Sequence, residues 1–144
     1  MKNVDYIIVG DGYAAFFLAH QLVKNKKSFL LFSEGKNSAS SISAGIINPA
    51  VLKRFTTFWL AQEQIDSLII TLSEIESYTN KNYLIKKPIL RIFHDENEKD
   101  LWLKKSDNES LSFFLDENFI TLHSVNNPFK CGKVNHSARL DVKN

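Results

Sequence analysis

Cysteine is nearly missing from this chain: Cys131 is the only one in 144 residues. An internal disulfide is thereby excluded, and the composition fits a reducing compartment. Cys131 itself reads as a buried or bystander thiol, not a nucleophile. The four histidines (His20, His94, His123 and His136) stand in separate elements without metal-ligand spacing, and no CxxC joins them, so no metal is expected. There is no GxSxG elbow and no Walker lysine after a glycine loop. No pair of carboxylates stands out as an acid–base couple, so no catalytic residue is assigned. Net charge is small as well. Eighteen Lys+Arg against 16 Asp+Glu leave +2, which calls for neither nucleic acid nor an anionic membrane as partner. No apolar run approaches the length of a membrane span. The N-terminal apolar stretch is interrupted by Asp5 and Asp11 and lacks a small-residue cleavage site, so a cytoplasmic protein is expected.

Against these absences one stretch is dense in signal, DYIIVGDGYAAFFLAHQLVKNKKSFLLFSE from Asp5 to Glu34. Tyr6-Ile7-Ile8-Val9 is short, apolar and stopped by glycine, and reads as a buried parallel strand. The spacing of Ala14, Phe17, Leu18, Gln21 and Leu22 predicts a helix beginning near Tyr13. Phe29-Leu30-Leu31-Phe32 predicts a second strand, parallel to the first. Strand, glycine turn, helix, strand and acid form a βαβ unit suited to a dinucleotide. Gly10 allows the sharp turn out of the strand, and Gly12 removes a side chain where backbone must approach a pyrophosphate. Ala15, third in the GxGxxA pattern, keeps helix and strand close. The helix N-terminus would face the phosphates with unpaired N–H groups and the positive end of its dipole. The candidate phosphate-binding residues are therefore Gly10, Asp11, Gly12, Tyr13, Ala14 and Ala15.

A ribose-binding acid falls conventionally near position 33, which is Ser33, with Glu34 one residue later; both stand as candidates. From Gly35 to Gly45 the sequence becomes small and polar, GKNSASSISAG. Composition alone describes a surface loop, but it leaves the strand end where ligands of parallel sheets bind. Hydroxyls of Ser38, Ser40 and Ser41 are suited to donate to phosphate oxygens.

Together, DYIIVGDGYAA, FLLFSEG, SSISAGIINP and the KRF at Lys53–Phe55 resemble the FAD-dependent oxidoreductases of the D-amino-acid and glycine oxidase type, the DAO-like flavoproteins. KPILRIF and GKVNHSARLDV, further on, are similar to that group as well. The resemblance implies FAD as cofactor, with its ADP half on the first βαβ unit, and an amine or amino acid as the small-molecule substrate, oxidised at a C–N bond. It carries Gly10, Gly12 and Ala15 to the phosphate turn, and Glu34 or Ser33 to the ribose. Ser41, Ala44 and Gly45 go to the loop passing the pyrophosphate. Ile42, where many relatives carry a basic residue, and Leu52, where glycine is common, depart from the pattern.

Beyond Asn48-Pro49 the pattern predicts a long amphipathic helix over 57–78, with Phe58, Ala61, Ile65, Leu68, Leu72 and Ile75 as one stripe. Lys53, Arg54 and Trp59 read as a solvated pair and a packed indole, with a substrate pocket as the alternative. Strands are expected over 83–85, 89–93, 119–125 and 133–140, and a helix from Asp95, which caps it, to about 105. The expected class is α/β: a Rossmann-type FAD-binding βαβ unit with an incomplete parallel sheet (1–45), then the start of a substrate-side α+β domain (46–144). Two nucleotide-fold strands are too few to cover a parallel sheet, so the chain is expected to be an N-terminal portion of a longer protein. A small complete binding module is the alternative. In function, a non-catalytic or degenerate nucleotide-binding protein and an NAD-dependent dehydrogenase remain open beside the flavoprotein.

Overall fold

The computed structural model describes residues 3–35 and 39–142. It mixes helices with strands in several small sheets, and the chain divides into two compact units, Met1–Gly45 with Asp141–Asn144, and Ile46–Leu140.

In the first unit β1 (Tyr6–Val9), α1 (Tyr13–Lys24) and β2 (Phe29–Phe32) follow in order. The strands pair in parallel from Tyr6↔Phe29 to Val9↔Phe32. Asp5 and Ser28 pin the start of the ladder. Asp5 Oδ2 accepts from the Ser28 N–H at 2.9 Å and the Ser28 hydroxyl at 2.7 Å, while the Asp5 N–H donates to Ser28 O at 3.1 Å. The α1 face that closes on the sheet presents Ala15 and Leu22, with Ala19 beside them, to Ile8 and Phe29. That face is not the one centred on Ala14 and Leu18, both of which are exposed.

The expectation that β1 is buried is corrected. Of β1 only Ile8 is buried, and Leu30, Leu31 and Phe32 of β2 are all exposed. An apolar run codes for a strand with two covered faces, but covering needs helices on both sides. Among the described residues of this unit, the buried cluster joins α1 to one face only. After β2 comes the four-residue turn of helix α2 (Ala39–Ile42).

The second unit contains β3 (Ile46–Ile47), β4 (Ala50–Val51), β5 (Thr56–Thr57), α3 (Ala61–Thr79), β6 (Leu84–Ile85), β7 (Ile89–Ile92), α4 (Glu96–Ser106), β8 (Cys131–Val134) and β9 (Ala138–Leu140). β3, β9 and β6 form one antiparallel sheet, and β4–β5 and β7–β8 form two antiparallel pairs. The long helix begins at Ala61 rather than near 57, because Thr56 and Thr57, β-branched and suited to a strand, pair with Val51 and Ala50. Its buried stripe, Ala61, Ile65, Leu72 and Ile75, is the expected one. Asp95 caps α4 by accepting from the Glu98 N–H at 2.7 Å.

Two expected strands differ. Over 119–125 only Ile120 bridges, to Cys131; Asn127 instead ties the segment down, its Oδ1 accepting from the Leu122 N–H at 3.2 Å and its amide donating to the Leu122 and Val125 carbonyls. The span 133–140 breaks into β8 and β9 at His136, which takes a left-handed φ of 57°. The core of this unit gathers Ala50, Phe55, Phe93, Trp102, Leu111, Leu115 and Val134. Among the described residues no helix is long and apolar enough to cross a membrane.

Candidate nucleotide site

The β1–α1 turn is set by two glycines for different reasons. Gly10 has φ 104°, a conformation that side chains oppose, and its N–H extends the ladder to Phe32 O at 2.8 Å. Gly12 is the N-cap of α1 in extended backbone, φ −76° and ψ −178°, with no side chain of its own to cap the helix. Its carbonyl accepts the first helical bond, from Phe16 N–H at 3.0 Å. A Cβ on Gly12 would lie 3.1 Å from Ser40 Oγ, so the missing side chain lets Ser40 come close to the helix start.

Ser40 supplies the cap that Gly12 lacks. Its hydroxyl oxygen accepts from the Tyr13 N–H at 3.1 Å across 27 residues of sequence. Tyr13 also reaches the loop through its ring: its hydroxyl meets Ser43 Oγ at 2.6 Å. Ser43 donates its own proton to Ser40 O at 2.8 Å, so the tyrosine is the donor in that pair. The Gly45 N–H, in a residue with φ 63°, points at Ser43 Oγ from 3.3 Å. The serine loop is thus brought onto the start of α1 by side chains three residues apart, Ser40 and Ser43. Ser40, expected as a donor, here accepts, and Ser43 is not among the sequence candidates; the S-x-x-S spacing, one helical turn, is the signal that points to it. Ser41 and Ala44 are exposed, and neither takes part in these contacts with Tyr13. Ser38 lies outside the described residues.

The first turn of α1 contains no acidic residue, so its positive dipole end is not offset from within the helix. Helix geometry leaves the N–H groups of Tyr13, Ala14 and Ala15 without intrahelical acceptors; Ser40 takes the first. Ala15 is buried against the sheet at 8% exposure, as a residue at a close helix–strand approach must be. With the Tyr13 N–H held by Ser40, Ala14 and Ala15 carry the N–H groups that helix geometry turns toward an anion.

At the other side of the turn the Ser33 hydroxyl donates to Asp11 Oδ2, and Ser33 Oγ in turn accepts from the Gly35 N–H at 3.1 Å. Glu34 is exposed. In the second unit Lys53, Arg54 and Trp59 are all exposed, Trp59 at 78%, so the indole is not packed away as expected. Cys131 is a buried free thiol, and burial pushes its pKa up, away from nucleophile chemistry. No family model matches this chain, and no solved structure matches it.

Proposed function

We propose that residues 5–45 bind the ADP half of FAD and that the protein is a cytoplasmic FAD-dependent oxidoreductase. The amine or amino acid C–N oxidation implied by the resemblance is the reaction the flavin would serve, by accepting a hydride. The observation that carries the reading is the N-terminus of α1, delivered by a glycine turn from a parallel strand pair. There the Tyr13 N–H already holds a hydroxyl oxygen, that of Ser40, at 3.1 Å. A phosphate oxygen asks for the same kind of donor, with more charge to repay it. Gly10, Gly12 and Ala15 shape the turn, Tyr13 and Ala14 offer N–H groups, and Ser40, Ser41, Ser43, Ala44 and Gly45 belong to the loop beside it. Asp11, Ser33 and Glu34 make up the ribose side.

Calorimetric titration with FAD, ADP and NAD tests this. Wild type is expected to bind FAD and ADP, with NAD weaker. Gly12→Val, whose branched side chain fills the phosphate space, is expected to lose about tenfold or more in ADP affinity while keeping a cooperative unfolding transition. Equal ADP affinity in the two proteins removes this turn from the site. Preference for NAD over FAD points instead to a dehydrogenase.

A further inference from the structure

Resting on that nucleotide reading, we infer that Asp11, from the glycine turn, is the carboxylate that holds the ribose diol. Ser33 is its positioning residue, and the site therefore selects nucleotides with a free 2′,3′-diol over 2′-phosphorylated ones.

The register leads to this assignment. Val9 pairs with Phe32, and Gly10 N–H carries the ladder one bond further to Phe32 O. Ser33 thus emerges beside the turn, at the position where a ribose acid conventionally stands. Serine has one proton to give, and here it goes to Asp11 Oδ2. One acceptor lone pair of Ser33 Oγ is taken by the Gly35 N–H. A ribose diol brings two O–H donors and is best met by a group that only accepts. An ionised carboxylate offers about four acceptor sites, so Asp11 keeps capacity after taking the serine proton, whereas Ser33 keeps little. Position 33 holds a serine instead of an acid; the turn supplies the carboxylate at its side, and the serine fixes its direction.

The same charge sets specificity. A 2′-phosphate would place a dianion against the Asp11 carboxylate, with the exposed Glu34 next in sequence to Ser33. Like charges in contact disfavour the complex.

The test titrates ADP, 2′-phospho-ADP and 2′,3′-dideoxy-ADP into wild type, Asp11→Asn, Glu34→Gln, Ser33→Ala and Ser33→Thr. Wild type is expected to prefer ADP to 2′-phospho-ADP. Asp11→Asn is expected to lose about ten- to a hundredfold in ADP affinity, to lose little for the dideoxy nucleotide, and to narrow the preference against the 2′-phosphate. Ser33→Ala is expected to lose less than Asp11→Asn, and Ser33→Thr, which keeps the hydroxyl, to restore binding. ADP binding that is unchanged in Asp11→Asn but reduced in Glu34→Gln overturns the assignment while leaving the nucleotide site standing. An Asp11→Asn loss equally large for the dideoxy nucleotide overturns it too, because the effect then does not pass through the diol. Failure of wild type to bind ADP at all brings down the nucleotide reading and this inference with it.

Discussion

In residues 46–140 Trp102 has no exposed surface, and Phe55 and Phe93 each meet it edge-on with ring centres 5.5 Å apart. In residues 1–45 Val9 and Phe32, facing partners on adjacent strands, are 83% and 56% exposed. The second unit folds its largest buried rings around one indole; the first presents most of its strand side chains to water. Among the described residues, a buried cluster of the first unit holds Ile8, Ala15 and Leu22. Burying an aliphatic side chain of the size of Ile8 or Leu22 contributes about 1.5–3 kcal/mol, and alanine contributes less. Edge-to-face ring pairs in the second unit add about 0.5–1.5 kcal/mol each beyond the area they bury. The difference teaches that the residues nearest a candidate ligand and those that supply most packing energy belong to different parts of the chain. A phosphate turn is built from backbone N–H groups and missing side chains, which bind anions well and pack poorly.

The largest break in this comparison is Trp102→Ala. The indole fills the centre of the second unit, and its Nε1–H donates to Asp116 O at 2.8 Å. Truncation leaves a cavity and an unpaired carbonyl, so a loss of about 3–5 kcal/mol is expected. Hydrogen exchange measured by residue gives the sharper readout. In wild type the β7–β8 amides should be more protected than those of β1–β2, and Trp102→Ala should abolish that ranking. Wild-type β1–β2 amides as protected as β7–β8 would show that the small cluster around Ile8 is as stable as the aromatic core.

A pair of glycines extends the comparison at smaller amplitude. A Cβ on Gly132 would come within 2.5 Å of Trp102 Cε2 and 2.8 Å of Phe93 Cζ, rings with nowhere to go. Gly132→Ala is expected to cost about 1–3 kcal/mol through overpacking. A Cβ on Gly12 meets the Ser40 side chain, its Oγ at 3.1 Å and its Cβ at 3.9 Å. Gly12→Ala is expected to cost less, within about 1 kcal/mol, mainly from a poorer helix cap. Denaturant midpoints of the two variants check the order, and a reversal would place the tighter backbone approach in the first unit.

The contrast also explains what was legible in the sequence. The βαβ pairing, the start of α1 at Tyr13, the Asp95 cap and the α3 stripe are local: turn, cap and period are written within a few residues of where they act. The exposure of β1 is not legible in the sequence, because Ile7, Ile8 and Val9 spell an apolar run whatever stands beside them. The start of α3 falls later than expected because Phe58 continues the helical period of Ala61 and Ile65, while Thr57 pairs with Ala50 of β4. The central place of Trp102 depends on Phe55, Gly132 and Asp116, distant in sequence and brought together only by the fold. In the candidate site the glycines and the serine loop were readable, but the Asp11–Ser33 contact was not. It arises from strand register, which fixes what lies opposite the turn.

The smallest expected effect is electrostatic, and it sets one carboxylate of each unit side by side. Burial works against ionisation of Glu98, but the His94 backbone N–H at 2.8 Å and the Arg91 guanidinium, its Nε at 2.9 Å, outweigh it and hold the carboxyl below the ordinary glutamate range. The Ser28 hydroxyl, then the Ser28 N–H, hold Asp5 below the ordinary aspartate range in the same way, but in full contact with solvent. A carboxyl whose folded pKa is lowered binds fewer protons folded than unfolded. Its contribution is complete above the unfolded value and disappears as pH falls through the folded one. Melting temperatures followed from pH 7 down to about 3 should therefore show the gap between wild type and Glu98→Gln closing on acidification. The Asp5→Asn gap should close too but remain the smaller at every pH, because water screens a fully exposed group. A Glu98 gap that stays constant with pH would show that the side chain acts as a neutral acceptor. An Asp5 gap larger than the Glu98 gap would mean that the start of the β1–β2 ladder, not the packed unit, carries the stronger charged clamp.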